Sequence, residues 1–589
     1  MRSTYRIALL AVLALALAVP VTPADDGGGA GEVAVGAHVV RARDSRNRAA
    51  EYQVDASSAS FAMWFDTELA EAADLSVDLE LLDPDDQRHH LELVASHAFT
   101  FEADMNRFVH NLPHDPLENL AAVDEVGEGA SIVSSKVVRH DDMDPGARYR
   151  YRFEDDHAKL AWRPMNHRAW EFALLARHMR RSGVHQQLSA GHCRTCHVVG
   201  QSAPVDQSMD DITLRVAYEK SNWGVRYEYT SSDFDSDANP VNRLFERVVH
   251  PIKKVPVFDN RASFAVGSDE TLPVGLVPGH ERDAHVLHLF WTGERDHLDA
   301  AAAYQKSESD HTGLKAKYYS FRGRWLHLID EGHSFSIRGR LENVDTDDVF
   351  VDVVEYPGSA GPHAGLYYGD VYADRGVEID WTRRPAADRT VLSATGEYTW
   401  RFGEKRRHRL KTSLRYRDVD RDNFHVAGSG TNTREYTLRT EVLGRFENGA
   451  RYRVRAEWYQ AKDPFRNQKG GCLAVGTEDL DTRVFPWTTY QYFELHRMRI
   501  ADLTNQPTDR ISLQTRLTLV PSDTTTLTLH GKWLSEQNDQ TRVSDWNHDS
   551  AAVGMSLWWT PNERFYATVT GEILREDQET HLCIPLMNG

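Results

Sequence analysis

The chain has 589 residues, a formal net charge of −20, 26 % charged residues and a mean hydropathy of −0.55. The acidic balance argues against a nucleic-acid partner, whose phosphates need surplus lysine and arginine. Four cysteines are too few to staple a chain of this length into a disulfide scaffold.

Residues 1–24 read as a secretory signal: Arg2 and Arg6 make a basic start, residues 7–19 an apolar run, and Thr22-Pro23-Ala24 a small-residue cleavage site. No later stretch approaches about 18 unbroken apolar residues, so no transmembrane helix is expected. Residues 25–55, with Gly27-Gly28-Gly29, read as a flexible lead-in. Two destinations then remain, a soluble exported protein or an outer-membrane β-barrel.

Mid-chain stands Cys193-Arg194-Thr195-Cys196-His197, the attachment signature of c-type haem. Two thiols at this spacing reach the two vinyl groups on one porphyrin edge. The adjacent imidazole turns onto the iron, where axial-ligand identity tunes the potential. Cys193 and Cys196 are therefore the expected thioether attachments and His197 the proximal ligand of one covalent haem. Met209, His185 and His178 are candidate sixth ligands. The competing readings are a bare dithiol or disulfide, or a zinc site, which would need a second Cys/His pair that the solitary Cys472 and Cys583 do not supply. Cys472 and Cys583 could pair with each other or stay free. His110 and His114, like His280, His285 and His288, lack the carboxylate or cysteine company of a metal site.

From there to the C-terminus an alternating grammar recurs. Leu214, Val216 and Tyr218 turn through Ser221-Asn222 into Val225, Tyr227 and Tyr229. Leu392, Ala394, Gly396, Tyr398 and Trp400 pass a Gly403-Glu404-Lys405 turn into Leu410, Thr412, Leu414 and Tyr416. Tyr436, Leu438, Thr440 and Val442 lead to Asn448-Gly449, a strong hairpin signal. Tyr452, Val454, Ala456 and Trp458 then return, alternating with Arg451, Arg453, Arg455 and Glu457. Leu513 to Leu529 and Leu557 to Val569 repeat the pattern around Pro521-Ser522 and Pro561-Asn562. One face is apolar and the other densely charged, as in strands lying between lipid and a watery lumen. Residues 232–283, 355–376 and 463–486 read as long polar loops. Only short pieces, 116–123 and 299–305, favour helix. The expected fold is all-β, a large antiparallel transmembrane β-barrel of roughly 20 to 28 strands. It would occupy residues 56–578, with the haem motif in a loop at 181–211 and a tail at 579–589. No Ser/His/Asp grouping, phosphate loop or metallohydrolase motif supports an enzyme.

Leu414-Arg415-Tyr416-Arg417-Asp418-Val419-Asp420-Arg421-Asp422-Asn423 resembles the Tyr-Arg-x-x-Asp-Arg-Asp-Asn stretches of the MtrB/PioB-type outer-membrane barrels. The segment Arg107-Phe108-Val109-His110-Asn111-Leu112-Pro113-His114-Asp115-Pro116-Leu117, with Cys193–His197 following, extends the resemblance over about residues 60–575. The resemblance implies a porin-like barrel in the outer membrane that sheathes a periplasmic multihaem c-type cytochrome and passes electrons across that membrane, with an extracellular cytochrome as a further partner. The alternatives are a passive porin or transport channel whose Cys-x-x-Cys is a structural dithiol, and a soluble exported haem β-protein.

Overall fold

A computed structural model describes residues 30–39, 51–52, 57–70, 72–96, 98–117, 138–192, 196–245, 270–351, 381–383, 388–421, 432–462, 507–538, 546–562 and 564–580. The signal sequence, Cys193, Cys472, Cys583 and the loops 355–376 and 463–486 lie outside these residues. Strand is the dominant element, and 22 of the described strands belong to one sheet, within the expected 20 to 28. No described helix is long and apolar enough to cross a membrane. The chain divides into two compact units, Met1–Pro113 with Arg150–Gly183, and His114–Tyr149 with Val184–Gly589.

The first unit is an antiparallel meander of β1 (Ala30–His38), β2 (Ser58–Ala70), β3 (Ala73–Asp83), β4 (Asp86–Ala95) and β5 (Phe99–Asn111), which then pairs with β7 (Arg150–Trp162). Between them in sequence lies β6 (Val138–Asp142), which belongs to the second unit. β1 corrects the reading of residues 25–55 as wholly flexible: its small residues pair along the whole strand, Ala30 opposite Asp66 to His38 opposite Ser58. One face of this unit packs Leu75, Val77 and Leu91 against Met63, Phe65, Leu79, Leu93 and Phe101. The other is acidic. In register there stand Glu32, Asp66, Glu68, Asp74, Asp78, Glu80, Glu92, Glu102, Asp104 and Asp155, accompanied by Arg88 and Lys159.

The second unit carries β6, the distal part of β8 (Trp170–His192), and then β9 (Cys196–Glu219) and β10 (Trp223–Ser236). Next come the hairpin β11 (Val241–Phe245) and β12 (Glu270–Val274), then β13 (His280–Thr292), β14 (Asp296–Ser309), β15 (Lys315–Leu328) and β16 (His333–Thr346). The short pair β17 (Val349–Val351) and β18 (Trp381–Arg383) precedes β19 (Arg389–Phe402), β20 (His408–Asp420), β21 (Asn432–Arg445) and β22 (Arg451–Lys462). The last four are β23 (Asp509–Ser522), β24 (Thr525–Asn538), β25 (Trp546–Asn562) and β26 (Phe565–Thr580). Apart from the two short hairpins, each strand from β9 onward pairs antiparallel with the next. Gly449 (φ 85°) makes the β21–β22 turn, supplying a left-handed backbone that a side chain would oppose.

Three expectations are corrected here. Residues 181–211 are not a loop: they form the ends of β8 and β9, leaving only 193–195 between them. Residues 299–305 are the middle of β14, because pairing with β13 and β15 on both sides outweighs the helix preference of the alanine run. Residues 232–283 contain the end of β10, the β11–β12 hairpin and the start of β13.

Register carries the alternation through the whole second unit. Leu289, Ala300, Gly323, Gly339, Ala394, Tyr416, Tyr436 and Gln460 trace one face across the ladder, and Leu414, Leu438, Trp458 and Ile511 run beside them. This face is apolar and open: Leu414 is 56 % exposed, Leu438 42 % and Val553 69 %. Soluble proteins seldom expose apolar patches beyond a few hundred Å². Rings mark its two edges. At one edge Tyr304 meets Tyr319 at 5.0 Å and Tyr416 meets Tyr436 at 5.4 Å. At the other, Trp400, Phe402, His408, Tyr452 and Phe446 form a contiguous chain. His408 to Tyr416 is nine residues of β20, the length a tilted strand needs to cross hydrocarbon, about 9–11 residues. Such paired aromatic edges around an apolar band are those of an outer-membrane β-barrel protein.

Candidate functional site

The face opposite the apolar band is the first candidate. Over β15, β16 and β19–β23 it carries seventeen basic side chains: Arg322, Arg324, Arg338, Arg340, Arg389, Arg401, Arg409, Lys411, Arg415, Arg417, Arg439, Arg445, Arg451, Arg453, Arg455, Arg510 and Arg516. The same face holds five glutamates, Glu342, Glu397, Glu435, Glu441 and Glu457. The glutamates serve as hubs. Glu457, 7 % exposed, accepts from Arg439 (Nε at 2.8 Å), Arg510 (Nη2 at 2.9 Å) and Arg455 (Nη2 at 3.4 Å). Arg510 also lies over the Tyr459 ring, 4.8 Å from its centroid. Glu441 takes Arg453 at 2.8 Å, with Arg409 at 3.8 Å. Glu397 holds Lys411 at 2.8 Å and Arg338 at 3.5 Å. Glu435 pairs with Arg417 at 2.6 Å, and Glu342 accepts from Arg340 and, at 2.8 Å, from the Tyr318 hydroxyl.

Five hubs leave cations over. Arg322, Arg324, Arg389, Arg401, Arg415, Arg445, Arg451 and Arg516 make no side-chain ion pair or hydrogen bond among the described residues. In a chain whose net charge is −20, this face is locally and strongly positive.

The second candidate is the β8–β9 hairpin. The Cys-x-x-Cys-His motif falls between these strands in sequence: Cys193 lies outside the described residues, and the backbone of Cys196 and His197 opens β9. β6 adds in parallel along that opening, Val138 beside Cys196, Arg139 beside His197, His140 beside Val198 and on to Asp142 beside Gly200. A clasp fixes it there. His114 Nε2 and Asp142 Oδ2 are 2.7 Å apart, with the Asp142 side chain 5 % exposed, and the His114 ring meets the buried Tyr149 edge-on at 4.9 Å. The Met143 amide donates to the Gly200 carbonyl at 2.8 Å. The Ser202 amide donates to Asp144 Oδ2 at 2.7 Å. Gln186 exchanges two bonds with the Asp115 backbone, at 3.0 and 2.7 Å. The sequence gives no sign of the His114–Asp142 pairing; the Asp142-Met143-Asp144-Pro145-Gly146 run is a local sign only of the turn that follows β6.

Ser202 holds the Asp144 carboxyl below the usual carboxylate range, chiefly through its backbone amide. A lowered folded pKa gives stability that is present above the unfolded value and lost as pH falls through the folded one. Acid, below about pH 4, is therefore expected to release the Ser202 amide. The protection of the Ser202 amide, its exchange relative to an unstructured chain at the same pH, should fall there in the wild type, and Asp144→Asn should show the lower protection already at pH 7. Equal protection in both proteins at pH 7 would remove the clasp from Asp144.

The predicted ligands are brought together only in part. Met209 lies on the same unbroken β9 as His197, opposite Phe234. Twelve residues at about 3.3 Å separate them by roughly 40 Å, so the two cannot share one iron. His178 and His185 both sit on β8, with His185 seven residues, roughly 23 Å, short of the end of that strand. His110 meets Glu51 at 3.0 Å and stacks on Tyr52. His285 and His288 are bonded to Tyr227 and Asp299. None of these histidines gathers the ligands of a metal site among the described residues.

No family model matches the chain, and no curated protein does. Among solved structures, the alcaligin outer-membrane receptor FauA of Bordetella pertussis matches at 11 % identity and a TM-score of 0.42, over 95 % of this chain and 76 % of that one. The ferric yersiniabactin uptake receptor FyuA of Yersinia pestis matches at 10 % and 0.40, over 93 % and 75 %. The copper transporter OprC matches at 9 % and 0.39, over 89 % and 78 %. At these values no ligand or function passes from those proteins to this chain. Its membrane placement stands on its own apolar band and aromatic edges.

Proposed function

We propose that this chain is the membrane-spanning sheath of an electron conduit, bearing one c-type haem of its own and enclosing a multihaem c-type cytochrome. The observation that carries the reading is the motif's setting on β9. From Ile212, at the edge of the apolar band, to Cys196 is sixteen residues, about 50 Å of strand. That end of β9 points the same way as the long connections β10–β13, β16–β19 and β22–β23, whereas the three-residue turns β9–β10 and β13–β14 close the opposite end. In outer-membrane barrels the long connections are extracellular. The motif therefore belongs beyond the lipid on the outer side, where a relay would meet external donors or acceptors.

The donor set fits the group in its spacing: two thiols and an imidazole fall within five residues of sequence, and the backbone of β6 runs parallel to the start of β9 that carries the last two of them. Cys193 and Cys196 would hold the porphyrin edge and His197 the iron. Haem, when bound, supplies reversible one-electron chemistry. The chain contributes the rest. Its strands satisfy their own backbone hydrogen bonds across the lipid, its charged face solvates or binds what lies against it, and the β6 clasp steadies the hairpin. One haem cannot bridge a membrane, so a multihaem partner is required.

A haem-stained denaturing gel of the purified chain tests the motif. Covalent haem in the wild type, absent from Cys193→Ala/Cys196→Ala, is expected, with unchanged membrane insertion and electron transfer across proteoliposomes slowed at least tenfold. A wild-type chain without haem would leave a porin with a structural dithiol.

A further inference from the structure

The surplus of positive charge on the β15–β23 face is not general to the protein. The polar face of the first unit is acidic over β1–β5 and β7, and the arginines of the same face on β9, β10 and β13 lie against carboxylates, Arg215 and Arg226 against Glu228 and Arg282 against Asp211. Among the described residues the five glutamates of the β15–β23 face do not answer all of its cations. Every glutamate on the face already holds at least one guanidinium or ammonium, and Glu457 holds three. The eight arginines left over repel one another unless an outside anion answers them.

Their spread decides its size. Seven strands at about 4.8 Å span roughly 34 Å, and Arg409 to Arg417 on β20 adds about 27 Å along the strand. A field near 900 Å² equals one side of a standard protein interface, about 800 Å². The free guanidinium groups do not converge on one point: Arg322 and Arg324 stand on β15, Arg415 on β20 and Arg516 on β23. A phosphate or citrate would meet one or two of them, whereas an acidic protein surface would meet most.

We propose that this face is the docking surface for the acidic side of a folded protein partner. The inference deepens the conduit reading, on which it rests for the partner's identity: the enclosed cytochrome would present carboxylates here. Planar guanidinium forks suit such recognition better than lysine, because they bind carboxylates through two parallel bonds.

The test uses the full chain in detergent with poly-L-glutamate as the probe. The wild type should bind it at 50 mM salt, lose it at least tenfold by 500 mM, and ignore poly-L-lysine. Arg322→Gln/Arg324→Gln/Arg415→Gln/Arg516→Gln should weaken binding at least tenfold, with heat-modifiable migration on gels reporting that the variant is folded. If the variant does not fold, the wild-type polymer and salt series decides alone. No binding, equal binding of poly-L-lysine, or citrate bound as tightly as the polymer would each overturn the proposal. Haem content of the same preparation is read separately, so failure of the docking face and failure of the conduit reading remain distinct.

Discussion

Arginine at Leu438, which lies between the middle of the band and its Tyr416–Tyr436 edge, is expected to destabilise the inserted protein by about 1–3 kcal/mol, between the roughly 2–4 kcal/mol of a guanidinium at the midplane of a barrel's lipid face and the roughly 0–1 kcal/mol near its interfaces. Leu438 pairs with Leu414 on one side and Trp458 on the other, two well-exposed apolar neighbours. Its immediate neighbour Thr437 faces the opposite way, between Arg415 and Tyr459. Thr437→Arg should therefore cost less than about 1 kcal/mol, since that face is already populated by solvated guanidinium groups. Adjacent positions on one strand that receive the same side chain, with opposite outcomes, isolate the lipid contact. Urea unfolding from phospholipid vesicles measures both. Equal costs would mean that the exposed apolar band of β9–β26 meets protein or water rather than hydrocarbon.

The same two-residue period explains what could be read from the letters. Wherever one face of a strand meets lipid and the other charge, alternation is forced. Leu392 to Trp400, Tyr436 to Val442 and Tyr452 to Trp458 announced themselves for that reason, and Asn448-Gly449 fixed the register between the last two. The β8–β9 hairpin failed to announce itself because the constraint lapses. Beyond the band one face of β9 is still buried at Val199, Ala203 and Val205, but the residues between and across from them, such as Gln186, Gln187, Ser189, Gly200 and Ser202, are small or polar on both faces and blur the period. Ser, Gly and Pro in that region then resemble a loop. β6 was hidden for a different reason: its parallel pairing with β9 joins segments nearly sixty residues apart and needs no local pattern. The cysteine–histidine motif was legible because its chemistry is a spacing, but the remoteness of Met209 became visible only once β9 proved continuous.

Glu457→Leu is expected to cost about 2–4 kcal/mol, far more than removal of any other glutamate on its face. Burying an ion pair costs desolvation, and stripping one partner leaves the other charge uncompensated, typically 3–5 kcal/mol for a fully buried pair. Here Glu457 is nearly sealed, while Arg439 and Arg510 retain 45 % and 31 % of their side-chain exposure, so water screens part of the loss. Three guanidinium groups would then face each other, with Glu536, 3.5 Å from Arg510 Nη1, as the remaining counter-charge. Glu435→Leu supplies the comparison: its direct ion pair among the described residues is with Arg417, and about 1 kcal/mol is expected. If like-charge repulsion is the cause, Glu457→Leu/Arg439→Leu should recover at least 1 kcal/mol of the single-variant loss, because one of the three repelling groups has gone. If the double variant is instead less stable than Glu457→Leu, packing around the carboxylate and not its charge holds β21, β22 and β23 together. Added salt separates the two causes again. Screening shortens the reach of the exposed guanidinium heads to about 8 Å at physiological strength and about 3 Å at 1 M. The Glu457→Leu deficit should therefore shrink with salt, whereas a cavity left by the lost side chain would persist unchanged.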